Sequence, residues 1–177
     1  MSKVITYPNP ALNKASKDCD FSDKRALKKI SKELAKEMYA CNGIGMAGIQ
    51  MGYDQRIFVI DVDQNDGAKN LLTFINPKIT KLEGEAEEFP EGCLSCPGIS
   101  VPIVRKPIVT IEEYDFNGDK FEMTADGLLS RAIQHEYDHL EGKTLFDSAS
   151  ITARNQAMAD YQIALAKGAK PGQVGEE

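Results

Sequence analysis

The two histidines of this chain, His135 and His139, stand four residues apart with Glu136 directly after the first. On an α-helix residues four apart share a face, so both imidazoles aim at one point, where a metal ion would bind. Glu136 projects about 100° round the helix from His135, beside the ion's open position rather than on the ion. A carboxylate so placed suits a general base acting on water. Histidines that only satisfy core hydrogen bonds need no glutamate between them, and the full His-Glu-x-x-His pattern points to a metal site with a base at its side.

A catalytic site of this kind has three protein ligands and one open position. The pattern that adds a third histidine after Gly142 would place it at position 145, which is Leu145. With no other histidine in the chain, the third ligand is a carboxylate or a thiolate. The best-placed candidate is Cys93 in the stretch EGCLSCPG, residues 91 to 98, where Gly92 and Pro97-Gly98 mark a bent, loop-like backbone able to present a thiolate. The same stretch supports a competing arrangement, a closed structural zinc site made of Cys93, Cys96, His135 and His139 with no catalysis. Such a site has no use for Glu136. Cys19 and Cys41 stand in ordinary contexts and read as packing residues.

A third stretch, GIGMAGIQ at residues 43 to 50, fits the glycine spacing of a dinucleotide-binding loop. That loop should follow a strand and open a helix, whereas this one follows a helical pattern and precedes a strand-like one, which argues against a nucleotide. It offers instead a backbone that a substrate can approach closely, and in Gln50 a neutral amide donor for a developing oxyanion.

Regular elements must hold these residues. From Ser22 to Asn42 the positions Leu27, Ile30, Leu34 and Met38 keep helical spacing, with Lys24, Lys28, Lys32 and Lys36 on the other side, which predicts an amphipathic helix capped by Ser22 and stopped at Asn42-Gly43. Residues 56–62, 71–76, 78–82, 107–114 and 119–124 read as strands, the last two paired across Asp115 to Gly118. Helical periodicity returns from Asp126 to Glu141, so the histidine pair is helical, and a last helix is predicted over 150–167. Residues 1–167 make a single domain, and the Gly-, Lys- and Glu-rich segment 168–177 is expected to be a mobile tail. A balance of 42% hydrophobic and 27% charged residues suits a soluble domain, a net charge of -6 argues against a DNA partner, and no apolar run is long enough for a membrane span. A cytoplasmic location is the expectation.

Gly43 to Gln50, Glu91 to Ser95 and Gln134 to Gly142, in this order and at these intervals, resemble the three signature motifs of the peptide deformylases, and the likeness extends over roughly residues 1–147. The resemblance implies an α+β fold, with antiparallel sheets around a central metal-binding helix, plus the N-terminal amphipathic helix and a C-terminal helix. It implies removal of the formyl group from N-formylmethionine of newly made polypeptides. It also implies that Cys93, His135 and His139 bind the metal and Glu136 handles protons, while Gln50 and the backbone amide of Leu94 hold the formyl oxygen and Gly45 lines the cleft. Ile44, Leu128 and Ala132 are the expected methionine pocket. The ligands alone allow zinc, iron, cobalt or nickel, and the resemblance implies Fe2+.

The chain departs from the family pattern at Gly48 and Ile49, where alanine and often proline are usual, and at Cys96, where an apolar residue is expected. After Asp147 it lacks the basic C-terminal helix with which some relatives dock on ribosomes. A transient ribosome contact by another surface stays open.

Overall fold

A computed structural model describes residues 1–175. Its first helix, α1 (Lys24–Ala40), buries the predicted face, Leu27, Ile30, Leu34 and Met38. The cap is Asp23, not Ser22: its carboxylate accepts from the Ala26 amide at 2.9 Å, one residue deeper than expected. Asn42, in the left-handed region at φ 54°, ends the helix at the predicted place.

The strands β1 (Gly45–Ala47), β2 (Ile57–Ile60), β3 (Leu72–Glu83), β6 (Ile108–Tyr114) and β7 (Lys120–Ala125) form one antiparallel sheet in the order β1-β2-β3-β6-β7. The two runs read as separate strands at 71–76 and 78–82 are one strand, bent by a register shift at Asn76 and Pro77. Asn76 adopts a positive φ there, and its side chain bonds both the amide and the carbonyl of Cys19. The predicted pairing across Asp115 to Gly118 is that of β6 with β7.

Between β3 and β6 the chain makes a second, two-stranded sheet that the strand reading lacked, β4 (Glu87–Cys93) with β5 (Cys96–Arg105). Prolines at 90, 97 and 102 obscure it in sequence, yet a two-stranded sheet is all edge, and edges tolerate residues without an amide proton. Ile99, Val101 and Ile103 alternate inward along β5 and pack with Phe146, Ala157 and Tyr161.

Two of these last residues lie on α4 (Ile151–Ala166), which covers β5 after α2 (Gly127–Leu140) and the short α3 (Leu145–Ser148). The helix α2 packs Ile133 and Leu140 against Phe58, Phe74, Val109 and Ile111 of the large sheet. Its packing leaves the histidine face turned toward the end of β4.

Residues 168 to 175, expected as the mobile tail, run back along β5: the Gly98 amide donates to the Gln173 carbonyl at 2.9 Å, and Gly172 lies against the backbone of Cys41. The last two residues of that segment, 176 and 177, lie outside the described ones. No described helix is long and apolar enough to cross a membrane.

Candidate active site

Three elements converge on a cleft of about 260 Å³. The loop from Cys41 through β1 forms one wall, the end of β4 and its turn a second, and the outer face of α2 a third. Ile44, Gly45, Gln50, Cys93, Leu94, Leu128, Ala132, His135 and Glu136 all line it, so the structure gathers residues from the three motifs into one place. His139 sits deeper, fully buried behind His135.

The donor atoms of Cys93, His135 and His139 lie within 4.8 Å of one another, and Cys93 Sγ is 3.4 Å from His139 Nε2. Ligands at 2.0 to 2.3 Å from a tetrahedral ion stand roughly 3.3 to 3.8 Å apart, so the cluster needs only a small contraction to close on one. The polarity of His135 is set from outside: its Nδ1 donates to Glu91 Oε1 at 2.9 Å, which turns Nε2 and its lone pair toward Cys93. Soft thiolate and imidazole donors with an oriented ring fit a divalent transition metal.

Glu91 is the hub of this support. Its Oε1 accepts from His135 and Arg105 Nη2, and its Oε2 from Arg105 Nε and Arg131 Nη1, both at 2.7 Å. Arg105 is held in turn by Asp138 at 2.9 Å, and Asp138 by the Ser148 hydroxyl. Burial alone would raise the Glu91 carboxyl, but the hydrogen bonds from His135 and Arg105 more than reverse this and hold it at about 2.

Glu136 is the opposite case. It is buried, its Oε2 has no hydrogen-bond partner, and burial, opposed by His135 and assisted by Glu91, pushes its carboxyl up to about 7. Its side chain lies over Gly45, where a methyl group would come 3.0 Å from Glu136 Cγ and closer still to Oε1. Gln50 is also buried and firmly oriented: its Oε1 accepts from the Ala47 amide at 2.8 Å, so its Nε2 must face outward, 3.1 Å from Ser95 Oγ and 3.6 Å from Cys93 Sγ. The arrangement is a metal-donor cluster with an unengaged carboxylate and a fixed amide donor at its edge.

The sequence pattern of the polypeptide deformylase family matches residues 1–155. The chain belongs to this family. It is 40% identical over 158 residues to a peptide deformylase of Hahella chejuensis strain KCTC 2396, across 88% of this chain and 92% of that one. A solved peptide deformylase from Legionella pneumophila is similar to it at 33% identity and a TM-score of 0.84, covering 97% of this chain and 99% of that one. A peptide deformylase from Synechococcus elongatus, solved in complex with actinonin, is similar at 32% identity and a TM-score of 0.80, over 93% and 86% of the two chains. The α+β fold with antiparallel sheets is the deformylase fold.

Membership decides against the closed four-ligand zinc reading, and so does the geometry. Among the described residues the donor cluster is Cys93, His135 and His139 without Cys96, which packs with Ile99, Val101 and Tyr161. Sequence reasoning missed Arg105, Arg131, Asp138 and the task of Glu91. Glu91 stood in view at the head of EGCLS, two residues before the thiolate; the arginines carried no signal, being far along the chain from it.

Proposed function

We propose that Cys93, His135 and His139 of this deformylase hold one divalent metal ion, Fe2+ in the native enzyme, with Glu136 as proton carrier. Gln50 Nε2 and the Leu94 amide receive the formyl oxygen. The enzyme removes the formyl group from newly made polypeptides and releases formate. The observation that carries the assignment is Glu136 Oε2, buried without a partner in the cleft that the donor cluster borders.

An ion held there supplies Lewis acidity toward water and the formyl carbonyl. Glu136, with a carboxyl raised to about 7, is matched to taking a proton from the attacking water and passing it to the departing amine near neutral pH. The Gln50 amide is oriented before substrate arrives, so it stabilises the developing oxyanion without reorganising. Gly45 leaves room beside the carboxylate, and the apolar surfaces of Ile44, Leu128 and Ala132 take the methionine side chain. Nascent N-formylmethionyl peptides are the substrates and the cytoplasm the place of work. The helix α4, with Arg154 as its one cation, offers the ribosome no basic docking face.

Anaerobic purification, elemental analysis and a formate-release assay on formyl-Met-Ala-Ser test the reading together. One equivalent of iron with rapid formate release is the expected result; a metal-loaded protein that releases no formate overturns it.

A further inference from the structure

Cys96 has no part in the site described above, yet it lies beside it. Cys93 and Cys96 are paired residues at the mouth of the β4–β5 hairpin, separated by the two-residue turn Leu94-Ser95. Directly opposed residues of an antiparallel pair present side chains on one face with Cα atoms about 4.5 to 5.5 Å apart. That separation lies inside the 4.4 to 6.8 Å or so that a disulfide spans. Both thiols are free, and Cys93 packs against the cluster that contains Cys96. Their access differs sharply: Cys93 lines the cleft, whereas Cys96 is 1% exposed beneath it.

We propose that Cys93 and Cys96 form a redox pair, in which a hydroperoxide entering the cleft oxidises Cys93 and Cys96 resolves the product to a disulfide. The Cys93 thiolate attacks one peroxide oxygen, the O–O bond breaks, and the other oxygen leaves as an alcohol or water after taking a proton. Cys93 is then a sulfenic acid. The Cys96 sulfur attacks it, the S–S bond forms, the S–O bond breaks, and hydroxide leaves as water with the proton that Cys96 gives up. Two electrons pass from two thiols to one peroxide. The buried position of Cys96 suits this order, since the oxidant meets Cys93 first and the second thiol waits beneath it. A dithiol reverses the bond, whereas a sulfenic acid left without a neighbour proceeds to the irreversible sulfinic acid. Loss of the Cys93 thiolate also removes one of three metal donors, a consequence that rests on the reading of Cys93 as ligand; the disulfide itself does not.

The test treats the metal-loaded full chain with hydrogen peroxide, titrates free thiols, measures the peptide holding both cysteines by mass spectrometry and follows released metal with a chromogenic chelator. The expected result is a fall from four free thiols to two, a peptide lighter by two hydrogens, and recovery of all four thiols with dithiothreitol. Cys96→Val, which keeps the position apolar, should instead accumulate Cys93 sulfinic acid that dithiothreitol does not reverse. Sulfinic acid at Cys93 of the unmodified sequence beside a free Cys96 thiol overturns the proposal, as does full dithiol recovery in the variant. A disulfide that forms without metal release supports the redox pair and counts against Cys93 as a ligand.

Discussion

Of the two carboxylates that line the cleft, Glu91 is engaged on both oxygens, whereas Glu136 Oε2 is buried without a partner. That difference divides their tasks, because a carboxylate bound by two arginines keeps its charge while an unengaged buried one can gain and lose a proton near neutral pH. Glu136→Ala should therefore keep its metal and lower kcat by about 10² to 10⁴ fold. Elemental analysis beside the formate assay checks this, and metal loss from the variant would count against the assignment. Gln50→Ala removes one oriented donor and should lower kcat by about 10² to 10³ fold with a smaller change in KM. A kcat near that of the unmodified enzyme would take Gln50 out of the mechanism.

At the scale of elements, the hairpin β4–β5 and the helix α2 are locked together through Glu91, Arg105 and Arg131, and the metal donors ride on both. Glu91→Gln removes the charge that orients His135, takes the counterion from the largely buried Arg131 and leaves Arg105 with Asp138 alone. Metal affinity should fall by about 10 to 100 fold, and stability by about 3 to 5 kcal/mol. Competition with a chelator measures the first and thermal melting the second; no change in either would mean that the ion-pair cluster is ornament.

This junction also marks where reading the sequence stops. The helices α1 and α2 were legible because their apolar residues repeat at helical spacing, and the three donors and Glu136 because their types and intervals are rare. The hairpin was not, although Ile99, Val101 and Ile103 alternate as a strand should, since its prolines read as breaks before any partner strand is known. The Glu91 to Arg105 link depends on two residues 14 apart meeting across a turn, and a sequence gives a carboxylate's position without its partner.

Over the whole molecule, stability should depend on pH through Glu113 on β6. It faces inward with Val109 and Ile111, is 3% exposed with Oε2 unpartnered, and burial pushes its carboxyl up to about 8. An unfolded glutamate titrates near 4.3 or so. Between these values the folded chain holds a proton that the unfolded chain releases, so this contribution to stability falls as pH rises from about 4.3 to 8. Glu113→Gln should abolish that component and melt higher than the unmodified protein at pH 8, with the gap narrowing toward pH 5. A difference of 1 kcal/mol moves Tm by about 2 to 4 °C in a chain of this size, enough to read by calorimetry. A gap independent of pH would show that Glu113 is ionised in the fold. Glu91 acts in the opposite sense and elsewhere: its depressed carboxyl contributes stability above its unfolded value that is lost as pH falls toward about 2.

The close fit of Gly45 under Glu136 bears on which positions of the cleft are free to vary. A side chain at position 45 meets the Glu136 carboxylate at once, so a variant there would displace the group proposed to carry the proton. Leu128 and Ile44, 57% and 39% exposed, stand clear of that carboxylate and can change at little cost to the fold, with the methionine pocket as the part that feels it. A ligand that leans on the backbone of Gly45 rests on a position the site holds fixed, whereas one that draws its affinity from Leu128 rests on one that can drift.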